Sequence, residues 1–141
     1  MRLTLPLLAL ASLLMACGEI EVSLTTDATE YEPGDTVQLV LQNQGLRKVG
    51  YNLCTVRVER RQGIEWAYAP HLGEAEACEL MLHTLEGGEQ AQGTLRLPAQ
   101  LQAGEYRIVH DVDTLRTDSQ GRTIQEPVIS NTFRVGAGGA P

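Results

Sequence analysis

The side chains in this sequence most able to act as catalysts or metal ligands are three histidines, His71, His83 and His110. The last begins the cluster His110-Asp111-x-Asp113, which combines an imidazole with two carboxylates, all of them metal ligand types. Successive side chains on a β-strand point to opposite faces, so His110 and the two aspartates can converge on one ion only where a bulge intervenes. We therefore expect solvated residues near a strand end, and we predict no metal.

Other catalytic and ion-binding motifs are missing from the sequence. It contains no Gly-x-Ser-x-Gly, no His-Glu-x-x-His and no glycine-rich phosphate loop. Glu74, Glu76 and Glu79 form an acidic stretch. A calcium site needs about six to eight oxygens in a tight cage, so a solvated face is the simpler interpretation. The sequence therefore predicts a protein that is not an enzyme and that needs no cofactor.

The first 17 residues have the organisation of an export signal. Arg2 supplies one positive charge, an apolar run covers Leu5 to Ala16, and Cys17 follows. The apolar run has roughly 12 residues, whereas a membrane-spanning helix needs about 20. No later segment is long and apolar enough to span a bilayer, so the sequence predicts export without a transmembrane helix.

The end of this signal, Leu14-Met15-Ala16-Cys17, resembles the lipobox of bacterial lipoproteins. The resemblance implies cleavage before Cys17 and lipidation of its sulfur by diacylglycerol. Gly18 at the next position implies an outer membrane location facing the periplasm. Acyl chains contribute about 0.8 kcal/mol per buried CH₂, so two or three chains hold a protein at a bilayer almost permanently. The alternative is an ordinary signal peptide that is cut elsewhere, with Cys17 incidental.

Cys54 and Cys78 are the two cysteines that remain once Cys17 is lipidated. In an exported protein we expect them to form a structural disulfide. The bond would close a loop of roughly 25 residues and contribute about 3 kcal/mol in the chain-entropy description. A redox pair and two metal ligands are the alternatives, but the sequence offers no Cys-x-x-Cys and no histidine partners at zinc spacing.

Charge and length limit the remaining possibilities. The 141 residues carry a net charge of −7, and Arg2 is the only charged residue of the signal, so the exported part is one unit more negative. Such a chain has no general electrostatic attraction for nucleic acid or anionic lipid headgroups. Without the signal peptide 1–16, the length suits one domain. We expect an acylated tether and first strand in 17–24, the domain in 25–135 and a flexible tail in 136–141.

The exported part has the pattern of short β-strands. Apolar and polar residues alternate in many segments, no 3.6-residue period is sustained, and turn residues recur about every 8 to 12 positions. The segment Tyr31–Asp35 contains the Pro-Gly pair of a type II turn. The expected strands are residues 20–24, 36–41, 51–60, 64–68, 78–83, 92–97, 105–113 and 127–135.

These segments predict an all-β fold, a single sandwich of seven to eight antiparallel strands. Within 51–60, the period of two places Val56 and Val58 on the same face as Cys54. The polar loop 114–125 is either mobile or the extension of a hairpin, and the sequence leaves both possibilities open.

A succession of short motifs runs through the predicted sandwich. They are Tyr31-x-Pro33-Gly34-Asp35-x-Val37, Leu41-x-Asn43, Glu59 through Trp66, Leu85-x-x-Gly88-Glu89, Leu101-x-x-Gly104-x-Tyr106-Arg107-Ile108 and Ser130-Asn131-x-Phe133-x-Val135. Their order over residues 25–135 resembles that of bacterial immunoglobulin-like domains in cell-envelope proteins. The resemblance implies an immunoglobulin-like sandwich and an envelope location.

Three further positions are expected to be structural. Gly104-Glu105-Tyr106 resembles a tyrosine corner, in which a tyrosine at the start of a late strand donates its hydroxyl hydrogen back to the main chain. Trp66, the only tryptophan, is expected to pack in or beside the core. The alternative for Trp66 is a ligand-stacking role.

The sequence thus predicts a lipoprotein that displays a non-catalytic binding or structural module from a membrane. Loops at one end of the sandwich, or an exposed sheet edge, are expected to contact another envelope protein or a glycan. The alternative is a small proteinase inhibitor, because the turn-Pro-Gly and Gly-x-Tyr-Arg pattern also resembles immunoglobulin-like bacterial proteinase inhibitors. Such an inhibitor would present the loop from Ala69 to Ala77, held by the disulfide.

Overall fold

The computed structural model describes residues 20–69 and 79–136. In these two ranges the chain forms eleven strands and one short 3₁₀ helix, Leu53–Thr55. The strands are β1 (Val22–Thr26), β2 (Glu30–Tyr31), β3 (Thr36–Asn43), β4 (Val49–Tyr51), β5 (Arg57–Gln62), β6 (Glu65–Tyr68), β7 (His83–Leu85), β8 (Gln90–Arg96), β9 (Gly104–Thr117), β10 (Thr123–Ile129) and β11 (Phe133–Val135).

The strands form two sheets. The smaller sheet has the order β1-β3-β8, and both of its strand pairs are antiparallel. The larger sheet follows the path β2-β11-β9-β4-β7, with β10 and β5 also paired to β9 and with β6 paired to β5. One pair in the larger sheet, β2 with β11, is parallel. The predicted all-β, immunoglobulin-like sandwich is confirmed, but the described residues form eleven strands instead of seven to eight, and not all of the pairs are antiparallel.

A single apolar core lies between the sheets. Alternate residues of β3 point inward, and Val37, Leu39 and Leu41 are fully buried. From the larger sheet, Ile108 and Val112 of β9 are buried in the same cluster. This alternation is the period of two that the sequence displayed, and it assigns one face of each sheet to the core.

Strand β9 is the centre of the larger sheet. It runs for 14 residues, beyond the expected segment 105–113. The polar loop predicted at 114–125 is largely the continuation of β9 and the start of β10, which pair as a hairpin. Its turn is short because Asp118 accepts hydrogen bonds from the main-chain N–H groups of Gln120 and Arg122.

The single strand expected at 51–60 is interrupted, and this prediction was wrong. The Asn52 side chain accepts a hydrogen bond from Cys54 N at 3.0 Å, and the Thr55 hydroxyl donates to Asn52 O at 2.9 Å. These local bonds compete with strand pairing and produce the 3₁₀ turn. Cys54 is therefore exposed, whereas Val56 and Val58 are buried, so Cys54 does not share their face.

Two other expected strands have different limits. The described part of segment 78–83 is not a strand before His83, because Glu79 O accepts a hydrogen bond from the Asn52 side chain instead of a neighbouring strand. Segment 127–135 is divided into β10 and β11 at Ser130, whose hydroxyl accepts the bond from Ile108 N. At both breaks a side chain forms a hydrogen bond that a main-chain group of a neighbouring strand would otherwise form. A hydrophobic pattern does not reveal such bonds.

Candidate binding surface

The cluster His110-Asp111-x-Asp113 does not form a metal site. His110 points into the core and is 1% exposed, whereas Asp111 and Asp113 lie on the outer face of β9, as strand geometry predicts. In residues 20–69 and 79–136, no group of three or more histidine, cysteine, aspartate or glutamate side chains could hold an ion. The expectation that His110 is solvated was wrong, because β9 is longer than predicted and buries this position.

His110 is a buried titratable group that faces the core. Its Nε2 accepts a hydrogen bond from Asn52 N at 3.3 Å, and its Nδ1 has no hydrogen-bond partner among the described atoms. Burial lowers the pKa of His110. Two smaller influences oppose each other, because the negative charge of Asp111 raises this pKa and the positive charge of Arg57 lowers it. The neutral imidazole is therefore the form that the fold accommodates.

This burial predicts a pH dependence of stability. The unfolded chain has a histidine pKa of about 6.5, and the folded value is lower, so the unfolded state binds more protons between the two. Stability contributed by neutral His110 should be complete above about pH 6.5 and be lost as the pH falls toward the folded pKa. Urea unfolding of the wild type and His110→Gln across this range measures it. His83→Gln, at an exposed position, is the control, and equal pH slopes for wild type and His110→Gln would contradict the prediction.

Tyr106 and Gly104 lie at the beginning of β9. The Tyr106 hydroxyl donates to Gln102 O at 2.6 Å, while the side chain is 1% exposed, and its burial raises the pKa of the phenol. A Cβ at Gly104 would lie 2.9 Å from Nε of Arg60, whose guanidinium donates to Ala103 O. The glycine thus leaves room for an arginine that binds the preceding loop.

Removal of the Tyr106 hydroxyl should weaken this connection. Tyr106→Phe is expected to lower the free energy of unfolding by about 1 kcal/mol, because Gln102 O loses a short hydrogen bond while the ring packing is kept. Chemical denaturation gives the value. Tyr68→Phe, at a residue 58% exposed, should change it by less than about 0.5 kcal/mol. Equal losses in the two variants would assign no structural role to the Tyr106 hydroxyl.

Trp66 does not belong to the core, and that expectation was wrong. It lies half-buried in β6, on the outer face of the larger sheet, opposite Arg61 in the register. The Arg107 guanidinium carbon lies 4.4 Å from the centroid of the Trp66 ring, which is cation–π geometry. The sequence signal was the alternation of charged residues in the paired strands, which marks a face turned toward water.

Ion pairs cross this outer face between β5 and β9. Arg107 is 2.7 Å from Glu59, Arg61 is 3.1 Å from Glu105, and Arg57 pairs with Asp111. The Glu59–Arg107 pair is the least exposed of these, with side chains 18% and 22% accessible. Because each of these arginines is paired with a carboxylate, the three ion pairs carry no net charge. The pair with Glu59 holds Arg107 over Trp66.

The edge of this face is β6. Among the described residues, β6 pairs with β5 alone, so its other side is an unpaired strand edge. Tyr68 projects on the same outer face as Trp66 and is 58% exposed. Tyrosine and tryptophan are enriched in protein interfaces, and open edges accept extended segments. An aromatic pair beside an open edge is the feature of the described surface best suited to binding.

Several predicted site residues lie outside the described residues. They are Cys17, Cys78, His71, Glu74, Glu76 and, apart from Ala69, the loop to Ala77. The lipidation of Cys17 and the disulfide between Cys54 and Cys78 therefore stay predictions. No helix in the described ranges is long and apolar enough to cross a membrane.

The fold and this surface define an immunoglobulin-like β-domain. Residues 18–125 match the family described as bacterial Ig-like domain, and the chain belongs to this family. The proteinase inhibitor alternative finds no support in the comparisons.

The chain is similar to several solved structures, of which two are described here. One is Spo0M, a sporulation control protein from Bacillus subtilis, with 18% identity and a TM-score of 0.43 over 85% of this chain. The chain spans 50% of that protein's length. The other is the ASH/PapD-like domain 7 of human CEP192, with 21% identity, a TM-score of 0.38 and coverage of 89% of this chain and 96% of that one. No curated protein sequence matches the chain.

Proposed function

We propose that this protein is a lipoprotein, anchored in a bacterial membrane through Cys17, that displays a non-catalytic immunoglobulin-like binding module in the cell envelope. The observation that carries the proposal is the sequence Leu14-Met15-Ala16-Cys17 directly before the domain matched at 18–125. We assign the anchor to the outer membrane, facing the periplasm, because Gly18 follows the lipidated cysteine. A disulfide between Cys54 and Cys78 belongs to the same proposal, because exported proteins retain such bonds.

The binding role is supported by the chemistry of the described surface. Tyr68 and Trp66 lie on β6, whose second edge is unpaired among the described residues, and Arg107, which pairs with Glu59, lies over the Trp66 ring. An extended segment of another envelope protein is the partner that fits, because main-chain pairing at an edge gives affinity and aromatic side chains give contact area. Glycan binding through the same aromatic pair is the alternative outcome.

The anchor is tested by intact mass spectrometry of protein made in a host that processes lipoproteins. The expected species begins at Cys17, carries acyl chains and gains about 2 Da on reduction of the disulfide. Cys17→Ser should leave the chain unlipidated and move it from the membrane fraction to the aqueous fraction. An unlipidated native species would overturn the lipoprotein proposal, and two free thiols would overturn the disulfide.

The binding surface is tested by photo-cross-linking in cells. A photoreactive amino acid at position 68 is expected to give adducts with an envelope protein. Position 129 is the matched control, because Ile129 is 47% exposed on the same outer face but lies in β10, away from β6. Protein adducts at 129 equal to those at 68, or none at 68, would exclude the β6 edge as the contact surface. Glycan adducts at 68 would keep the surface and change the partner.

A further inference from the structure

Leu46 is the most exposed of the large apolar side chains in the described chain, at 101%. It lies in the connection between β3 and β4 and is followed by Arg47 and Lys48. A leucine at the tip of a loop contributes nothing to the core of this domain. Two basic residues directly after it suit the boundary between acyl chains and phosphate groups, where apolar and cationic side chains are both favoured.

The loop lies at the same end of the domain as Ile20, the first described residue, which follows Cys17 by three positions in the sequence. Leu46 and Ile20 line one open cleft of about 360 Å³, whose charged lining residues are Arg47, Lys48, Arg116 and the single acid Glu21. Three peptide units separate Cys17 from Ile20, and they can span at most roughly 11 Å. The polar layer of a bilayer is about 5 to 8 Å thick on each side. Acyl chains on Cys17 would therefore bring this cleft to the membrane surface.

We propose that the end of the sandwich formed by Ile20 and Leu46 rests on the lipid surface, with the Leu46 side chain inserted at headgroup level and Arg47 beside the lipid phosphates. The inference rests on the proposed lipidation of Cys17. Lys48 and Arg116 contribute less charge, because Lys48 is 2.6 Å from Glu86 and Arg116 is 3.7 Å from Glu126.

The contact of Leu46 and Arg47 with the lipid surface determines how the domain is oriented on the membrane more than how tightly the protein is attached. The exported chain is acidic overall, so its general electrostatic interaction with anionic lipid is unfavourable and the acyl chains must supply the attachment. Arg61 pairs with Glu105 near the start of β9, whereas Arg116 lies near its end. These positions are roughly 35 Å apart along the strand. The turn after β5 would consequently point away from the membrane.

Ile64 provides the matched control for this arrangement. It is 92% exposed in the turn between β5 and β6, and it is therefore an equally accessible aliphatic residue at the opposite end of the domain. An environment-sensitive fluorescent amino acid is incorporated at position 46 or at position 64. The lipidated protein, with its acyl chains verified by mass, is placed in vesicles of phosphatidylethanolamine and phosphatidylglycerol.

Emission at position 46 is expected to shift to shorter wavelength on vesicle binding, with quenching by aqueous acrylamide reduced by roughly threefold. Position 64 should show neither change. Lipidated protein in which position 46 is quenched as strongly as position 64 would overturn the membrane contact and leave the anchor intact. A mass without acyl chains would instead refute the proposed lipoprotein, and the membrane contact with it.

Discussion

Replacement of Phe133 by alanine is expected to lower the free energy of unfolding by about 3 to 5 kcal/mol. Phe133 lies in β11 and is 2% exposed. Its ring meets Tyr31 edge to face at 5.3 Å between centroids and stacks on Tyr106 at 6.0 Å. Truncation removes the apolar burial and both ring contacts. Tyr31 and Tyr106 cannot move to fill the cavity, because their hydroxyls are hydrogen-bonded to Asp27 and to Gln102 O.

Urea unfolding followed by circular dichroism measures this loss. Arg134→Ala is the control, because Arg134 is the next residue and is exposed on the opposite face of β11, so less than about 0.5 kcal/mol should be lost. If Phe133→Ala fails to fold, Phe133→Leu keeps most of the volume and should lose a smaller, measurable amount. A loss below about 1 kcal/mol in Phe133→Ala would show that this aromatic cluster is not a centre of stability.

Asn43→Ala is expected to lower the free energy of unfolding by about 2 to 4 kcal/mol. Asn43 ends β3 and is 1% exposed. Its amide nitrogen donates to Arg47 O at 2.7 Å and to Leu85 O at 3.1 Å, and its oxygen accepts from Gly45 N at 3.1 Å. Alanine leaves all three main-chain groups without this partner, and the cost is that of buried polar groups left unpaired.

Two variants separate this network from simple truncation. Gln42→Ala changes the exposed neighbour on the opposite face of β3 and should alter stability by less than about 0.5 kcal/mol. Asn43→Asp keeps an acceptor for Gly45 N but loses both donors and buries a negative charge at neutral pH. Its stability should therefore rise as the pH falls and the carboxylate is protonated. An Asn43→Ala value equal to that of Gln42→Ala would refute the role of the network.

Much of the fold was predictable because its determinants are local in sequence. The alternation of apolar and polar residues predicted a strand at 36–41, where β3 lies, and the Pro-Gly pair before this strand marked its turn. Gly34 has a positive φ of +89°, a conformation that glycine adopts without steric cost. The motif ending in Tyr106 placed a buried phenol at the start of a late strand. Each of these signals spans only a few residues.

The failures had two sources: side-chain hydrogen bonds to the main chain within a few residues, and contacts between segments that are distant in sequence. Cys54 does not lie in its predicted strand, because its main-chain N–H donates to the side chain of Asn52, two residues earlier, instead of to another strand. Trp66 lies outside the core because its neighbour across two strands is Arg107, and no local pattern shows which residue will lie above an aromatic ring. His110 is buried because β9 extends beyond its predicted end.

Composition and short-range pattern were thus sufficient for the all-β class, the positions of most strands and the expectation of an exported, lipid-anchored chain. These properties depend on hydrophobic periodicity and on turn residues, which act through their immediate neighbours. Strand pairing alone decided that Glu59 meets Arg107, that Trp66 and Tyr68 lie on a strand with one edge unpaired among the described residues, and that Leu46 and Ile20 line one cleft. The physical reason is that these contacts join residues far apart in the chain, and their energies become available only once the two sheets have formed.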